Sequence, residues 1–295
     1  MQRAIGRVKL AVGLFVFAGG TYAADLKTNT LNAWDQYVDG AQKRMQGRLQ
    51  PGGHFLWADE DAERAARIKQ GETEVEPLLG HGSKGVQGGG LIHDWIGAAF
   101  IPNASLDELF GVLKDYDHYK DFYRPVVIDS QLKERVDDID RFTMRWLHKV
   151  LFVTAALDTQ NEARTYRVDA RRAYTISRTI NVQEIQNYGH DDEHELAPDK
   201  GNGFIWRLCS ISRYEERDGG LYVEIEAMAL TRDIPMSMRF LVRPVVMSLS
   251  RNSLVTSLEQ TRDAVHETQV AREMGGSSQR GDMALLVHPM RKAGR

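Results

Sequence analysis

The sequence predicts an α+β chain with its parts segregated along its length: helices first, then strands, then one long helix. Three observations predict it. Apolar residues recur at helical spacing between Leu31 and Met45, they alternate with polar ones in several runs between Arg141 and Leu230, and helical texture returns from Pro235 to Thr268. The chain has 295 residues, 42% hydrophobic and 27% charged, which suits a globular protein and excludes a fibrous or wholly disordered one. A formal charge of −3 and an isoelectric point near 6.3 lack the basic excess of nucleic-acid binders, so no nucleic-acid partner is expected.

Arg3, Arg7 and Lys9 precede the apolar run from Leu10 to Ala18. Gly19 and Gly20 end the run, and Thr21-Tyr22-Ala23 places small residues at the positions a signal peptidase reads. This order predicts a secretory signal peptide over 1–23 and a periplasmic or secreted mature chain. The apolar core is shorter than the roughly 20 residues a spanning helix needs, so no transmembrane segment is expected in the mature chain. Cleavage removes three positive charges and no acid, leaving a charge of −6. Cys209, the single cysteine, has no internal disulfide partner and is expected to be a buried, inert thiol.

Residues 24–89 read as a helical N-terminal extension. Leu31, Trp34, Val38, Ala41 and Met45 make one helical stripe, with Thr30 as its N-cap. A second helix is expected from about Asp59 to Gln70, stopped by Gly71. Gly80, Gly82, Gly85, Gly88, Gly89 and Gly90 mark the stretch 76–90 as a loop and the domain boundary. The main domain, 90–270, opens with a strand from Leu91 to Ile101. Ser105 and Glu108 form a capping box for a helix bearing Leu106, Leu109, Phe110 and Leu113 on one face. A helical turn follows from Asp117 to Tyr123, closed by Pro125.

Strands are expected over Val126–Glu134, Arg141–His148, Val150–Leu157, Thr165–Glu184, Gly203–Glu215 and Leu221–Leu230. Short turns, Asp218-Gly219-Gly220 the clearest, make them antiparallel. Their alternation implies one wet face and one covered face. The cover is the helix from Pro235 to Thr268, capped by Asp233 and kinked or restarted at Pro244, with Met247, Leu254, Leu258 and Val265 turned inward. Residues 271–295 turn Gly- and Ser-rich and read as a mobile tail.

This order of elements, and the run from Leu106 through Tyr116, Tyr119 and Tyr123 to Pro125, resemble the START-like, helix-grip superfamily, also called the SRPBCC or Bet v 1-like group. The resemblance spans about Leu91 to Val270 and is similar to an exported bacterial branch. It implies a curved antiparallel sheet of about seven strands gripping the C-terminal helix around an elongated apolar cavity. Members bind lipids, sterols, quinones or polyketides, and some are cyclases or aromatases. The superfamily has no universal catalytic motif, so no catalytic residue carries over.

Within that frame the apolar parity of each strand is expected to face the helix. On the first strands this selects Met144 and Trp146; on the long strand, Tyr166 and Tyr174; and near Trp206, the neighbours Phe204, Leu208 and Tyr214. Met236 and Met247 would close the cavity from the helix. Arg172 and Arg178 share the apolar parity of the long strand. They are either cavity cations for an anionic head group, or members of internal ion pairs, for example with Glu226, or turned outward by a bulge.

Two motifs resemble catalytic signatures. His190-Asp191-Asp192-Glu193-His194 spells an inverted zinc-protease pattern, but it lies between Gly189 and Pro198 in an acidic stretch with no apolar stripe, and reads as a solvated loop. Gly80-His81-Gly82-Ser83-Lys84-Gly85 matches a dinucleotide fingerprint without the helix such a site needs. No metal and no cofactor are expected. The expected function is binding or carrying a hydrophobic small molecule. The alternatives are a cyclase- or aromatase-type enzyme using Arg and Tyr side chains in the same cavity, and an interaction protein with a filled cavity. No sequence feature identifies a protein partner.

Overall fold

The computed structural model describes residues 26–80, 82–150, 153–233 and 239–284. The expected signal peptide, Met236 and the stretch 285–295 lie outside them. Helix α1 (Thr28–Arg48) forms where the apolar stripe predicts it and buries Trp34, Ala41 and Met45. Its N-cap is Lys27; Thr30 lies in the first turn, where its buried hydroxyl donates to the Gln87 carbonyl at 3.1 Å. The expected second helix divides into a 3-10 turn (Trp57–Glu60) and α2 (Ala62–Lys69). Asp61 divides it, being extended and accepting the Arg64 N–H at 2.9 Å as an N-cap.

The glycine-rich stretch is not a linker. It contains β1 (Glu74–Pro77) and β2 (Ser83–Val86), both antiparallel to β3 (Gly90–Pro102). Glycine is needed there because α1 crosses the β2–β3 turn: Gly88 has φ +98°, and a Cβ on it would collide with Thr30 Oγ1. Helix α3 (Leu106–Leu113) opens with the expected capping box. The Ser105 hydroxyl accepts from the Glu108 N–H, and Glu108 accepts from the Ser105 N–H at 2.9 Å. A 3-10 turn (Tyr116–His118) and α4 (Tyr119–Phe122) follow.

The remaining strands are β4 (Val127–Val136), β5 (Ile139–Val150), β6 (Val153–Arg167), β7 (Arg172–Gln186), the two-residue β8 (His194–Glu195), β9 (Arg207–Arg217) and β10 (Gly220–Arg232). The single run expected from Thr165 to Glu184 breaks at Asp169, whose carboxylate accepts the N–H groups of Arg171 and Arg172 at 2.8 Å and forms the β6–β7 turn. Helix α5 (Arg239–Ala284) continues beyond residue 270, where a tail is expected from composition. Glycine and serine weaken a helix there, but no proline ends it.

Among the described residues the strands form one antiparallel sheet in the order β1-β3-β10-β9-β7-β6-β5-β4, with β2 beside β3 and β8 beside β7. Seven long strands carry it, and β1, β2 and β8 are short additions. Two layers cover it. On the inner face α5 packs chiefly along β3, with Leu254, Leu258 and Val265 against Trp95, Ala99, Tyr214 and Val223. Gly97 permits that approach, since a Cβ there would stand 2.8 Å from Val75 and 2.9 Å from Leu258. On the outer face α1 and the 57–60 turn pack Trp34, Met45, Leu56 and Trp57 against Ile92, Ile96, Ile211 and Met228. The antiparallel sheet around a long C-terminal helix is a helix-grip fold.

Double coverage explains why β3 reads as an almost unbroken apolar run. Strands β5 to β7 extend beyond the α1 layer. Their outer side is a chain of surface ion pairs in which Arg141 meets Glu134 at 2.5 Å and Glu162 at 3.3 Å, and Arg178 meets Glu162 at 3.0 Å.

Candidate functional site

Cross-strand register places a row of small side chains across the middle of the inner face: Ala163 on β6, Ser177 on β7, Ser210 on β9 and Ala227 on β10. Beside it runs a second row, Thr165, Thr175, Ser212 and Ile225, which ends at Gly97. On the other side Leu208 and Ala229 lead to His93. Thr175, Ser177, Leu208, Ser210, Ser212, Ala227 and Ala229 are half-buried, so α5, seated along β3, leaves this part of the floor accessible. Four strands at about 4.8 Å spacing make a trough roughly 14 Å wide.

Larger side chains bound the trough. Tyr214 closes one end, buried against α5 with its pKa raised by desolvation. Trp146 and Met144 stand toward the other. The Trp146 indole N–H donates to Thr159 Oγ1 at 2.9 Å, and Thr159 in turn donates to the Met144 carbonyl at 3.1 Å. Tyr116, Tyr119 and Tyr123 pack in the core. Tyr116 stacks on Phe142 at 4.1 Å, Tyr119 donates to the Leu113 carbonyl at 2.6 Å, and the Tyr123 hydroxyl meets Thr261 of α5 at 3.0 Å.

The structure thus places Met144, Trp146, Leu208 and Tyr214 on the inner face, and Met247 packs in the same cluster as Tyr214. Six expected cavity residues lie elsewhere. Tyr166 and Tyr174 stack on each other at 4.7 Å on the outer face, where Tyr174 accepts from Gln46 of α1 at 3.3 Å. The apolar parity of β7 serves the N-terminal layer, which sequence reasoning treats as a separate extension. Arg172 and Arg178 follow that parity outward and form ion pairs with Asp169 (2.7 Å) and Glu162 (3.0 Å), not with Glu226. Trp206 precedes β9, so strand alternation does not govern it, and it is buried in the outer core. Phe204 is exposed, in a loop held by Glu184, which accepts the N–H groups of Asn202 (2.6 Å) and Phe204 (3.0 Å).

Sequence reasoning misses the hydroxyl floor itself. Thr175, Ser177 and Thr179 occupy the polar parity and read as a wet face. It also passes over His93, buried with Nε2 3.0 Å from Thr231 Oγ1; burial lowers its pKa to about 4, so the imidazole is neutral. Cys209 is buried on the outer face, and burial pushes its thiol up to about 12.

His190 and His194 are exposed in turns and the short β8, not one turn apart on a helix. Among the described residues no three metal-ligating side chains cluster. Replacing both histidines with alanine is expected to leave the thermal midpoint unchanged; loss of a stoichiometric zinc ion in the double variant would contradict the loop assignment. A surface cleft of about 250 Å³ joins Met144 and Thr159 to Asp129, Arg145, Asp158 and Glu195. With four charged side chains and less than the ~300 Å³ of ordinary ligand pockets, it is a poor match to an apolar molecule.

No family model matches the chain, and no curated relative matches it. Several solved structures are similar. A STAR-related lipid transfer protein from Xanthomonas axonopodis is 14% identical, with 62% of this chain and 97% of that one covered and a TM-score of 0.42. The Zhui aromatase/cyclase from Streptomyces sp. R1128 is 12% identical, covering 59% and 94%, with a TM-score of 0.41. Human STARD10 is 10% identical, covering 77% and 87%, with a TM-score of 0.42. No helix among the described residues is long and apolar enough to cross a membrane.

Proposed function

We propose that the protein is an exported binding or carrier protein for a hydrophobic small molecule, held between the inner face of the sheet and α5. The observation that carries this reading is the difference between the two faces of the same strands. The outer face of β9 and β10 is sealed by α1, whereas their inner face carries short, half-buried side chains. An apolar molecule lying over Ala227, Ala229 and Leu208 removes both surfaces from water, at about 25 cal/mol per Å² before the costs of association. Ser177, Ser210 and Ser212 offer neutral donors and acceptors that orient a carbonyl or hydroxyl of the guest without burying a charge. The single thiol faces away from the trough and is protonated, which favours binding over covalent chemistry through cysteine.

The test is titration of the full mature chain with the fluorescent apolar probe N-phenyl-1-naphthylamine. Ser210→Trp fills the middle of the floor and should weaken binding by at least about tenfold, a loss of ~1.4 kcal/mol. Arg178→Ala, on the outer rim, should leave the affinity unchanged. Equal affinities for wild type and Ser210→Trp would refute the site. Export has its own test: N-terminal sequencing of the protein from the extracytoplasmic fraction should begin at Ala24 or one residue later, and a sequence beginning at Met1 would exclude cleavage.

A further inference from the structure

The N-terminal layer meets the sheet through charge as well as apolar contact. Glu224 is fully buried; it accepts the Arg213 Nε–H at 2.5 Å and the backbone N–H groups of Trp57 and Ala58 at 3.0 Å. Glu226 lies between Arg213 at 3.4 Å and Arg44 of α1 at 2.9 Å. Asp94 on β3 accepts the Tyr37 hydroxyl of α1 through Oδ2 at 2.6 Å, and Arg44 stands 3.7 Å from the same oxygen. Asp94 Oδ1 is buried without a hydrogen-bond partner.

Charged and titratable groups surround Asp94 from three neighbouring elements. Helix α1 supplies Tyr37 and Arg44, β10 supplies Glu224 and Glu226, and β9 supplies Arg213 and the protonated Cys209. Strand β3 supplies Asp94, while its neighbour His93 points to the inner face. At the margin, Arg178 of β7 is held by Glu162. Fully ionised, the three buried carboxylates would face one buried guanidinium, Arg213, and one half-exposed one, Arg44, leaving a negative charge uncompensated beside a buried oxygen that has no donor. The deficit falls on Asp94, which has the most distant cation, a repelling neighbour in Glu226 and an oxygen with no donor. A neutral carboxyl there leaves one unpaired O–H, which costs less than an unpaired charge.

We propose that docking of the N-terminal layer onto the sheet is coupled to the binding of one proton at Asp94, so that the layer is held most tightly in acid and loosens as the pH rises through neutrality. Desolvation, and then the Glu226 charge, raise the Asp94 pKa to about 7. Freed from the interface, the carboxyl is wet and titrates near ~3.9. Between those values the docked state holds more protons than the undocked one, so docking weakens with rising pH and the stabilisation is gone above the docked value. Between pH 5.5 and 8.5 the opening constant of the layer should rise about 30-fold.

Hydrogen exchange of the full chain tests this, with protection factors for the α1 amides from Trp34 to Met45 corrected for intrinsic rates. Wild type should lose about 30-fold in protection between pH 5.5 and 8.5. Asp94→Asn keeps the shape and removes the titration, and its α1 protection should be the same at both values. An equal loss in wild type and Asp94→Asn overturns the proposal, as does a wild type with no loss. If Asp94→Asn does not fold, Tyr37→Phe serves instead. It removes a hydrogen bond that favours the carboxylate, so the midpoint of the wild-type transition should move upward, and an unmoved midpoint overturns the proposal.

Discussion

Glu224→Ala is expected to lower stability by about 3–5 kcal/mol, read as a lower urea midpoint at unchanged slope. The carboxylate is fully buried beneath the N-terminal layer. Its removal leaves the Arg213 guanidinium, 1% exposed, with Glu226 at 3.4 Å as its remaining anion, and it strips two backbone N–H groups of their acceptor. Two buried N–H groups are then unpaired and a buried cation keeps one distant anion, which costs more than the intact contacts contribute. Arg178→Ala is the matched control. It breaks an ion pair that is largely in water and should change stability by no more than about 1 kcal/mol. A cost for Glu224→Ala as small as that of the control would show that the network is wet.

Leu258→Ala is expected to cost about 2–5 kcal/mol, because Leu258 is fully buried where α5 meets the sheet and its removal leaves a cavity. The contact also makes a sharper prediction. Gly97→Ala would place a Cβ 2.9 Å from the Leu258 side chain, forcing one of them to move. Once Leu258 is shortened, that crowding is relieved on the helix side. The double variant should therefore be less destabilised than the two single costs combined. Simple additivity in urea melts would mean that α5 does not rest on Gly97.

Elements governed by local rules were legible in the sequence. The capping box at Ser105 and Glu108, the hairpin at Asp218 and Gly219, and the helical stripe of α1 each depend on residues within a few positions of one another. The candidate site was half legible, and the reason lies in β7. Alternation separates the parity of Tyr174 and Ile176 from that of Thr175 and Ser177, but periodicity does not say which parity meets which layer. Reading α1 as a separate extension assigns the apolar parity to α5. In the structure α1 takes it, and the hydroxyl parity is left to floor the trough. Trp206 shows a second limit: it lies one residue before β9 begins, so its parity has no meaning. The glycine-rich stretch shows a third, since glycine marks close approach of two backbones as readily as it marks a linker.

The register between β3 and β10, running from Gly90 opposite Arg232 to Pro102 opposite Gly220, sets an order of assembly. The polar contacts of α1 with the sheet are made by Asp94 from β3, Arg213 from β9 and Glu226 from β10. No nascent chain that stops short of residue 226 contains all of them. Helix α1 has 21 residues, and a helix in a protein draws most of its stability from packing its apolar face. The native packing of residues 28–48 is therefore complete only once β10 has paired with β3 and β9.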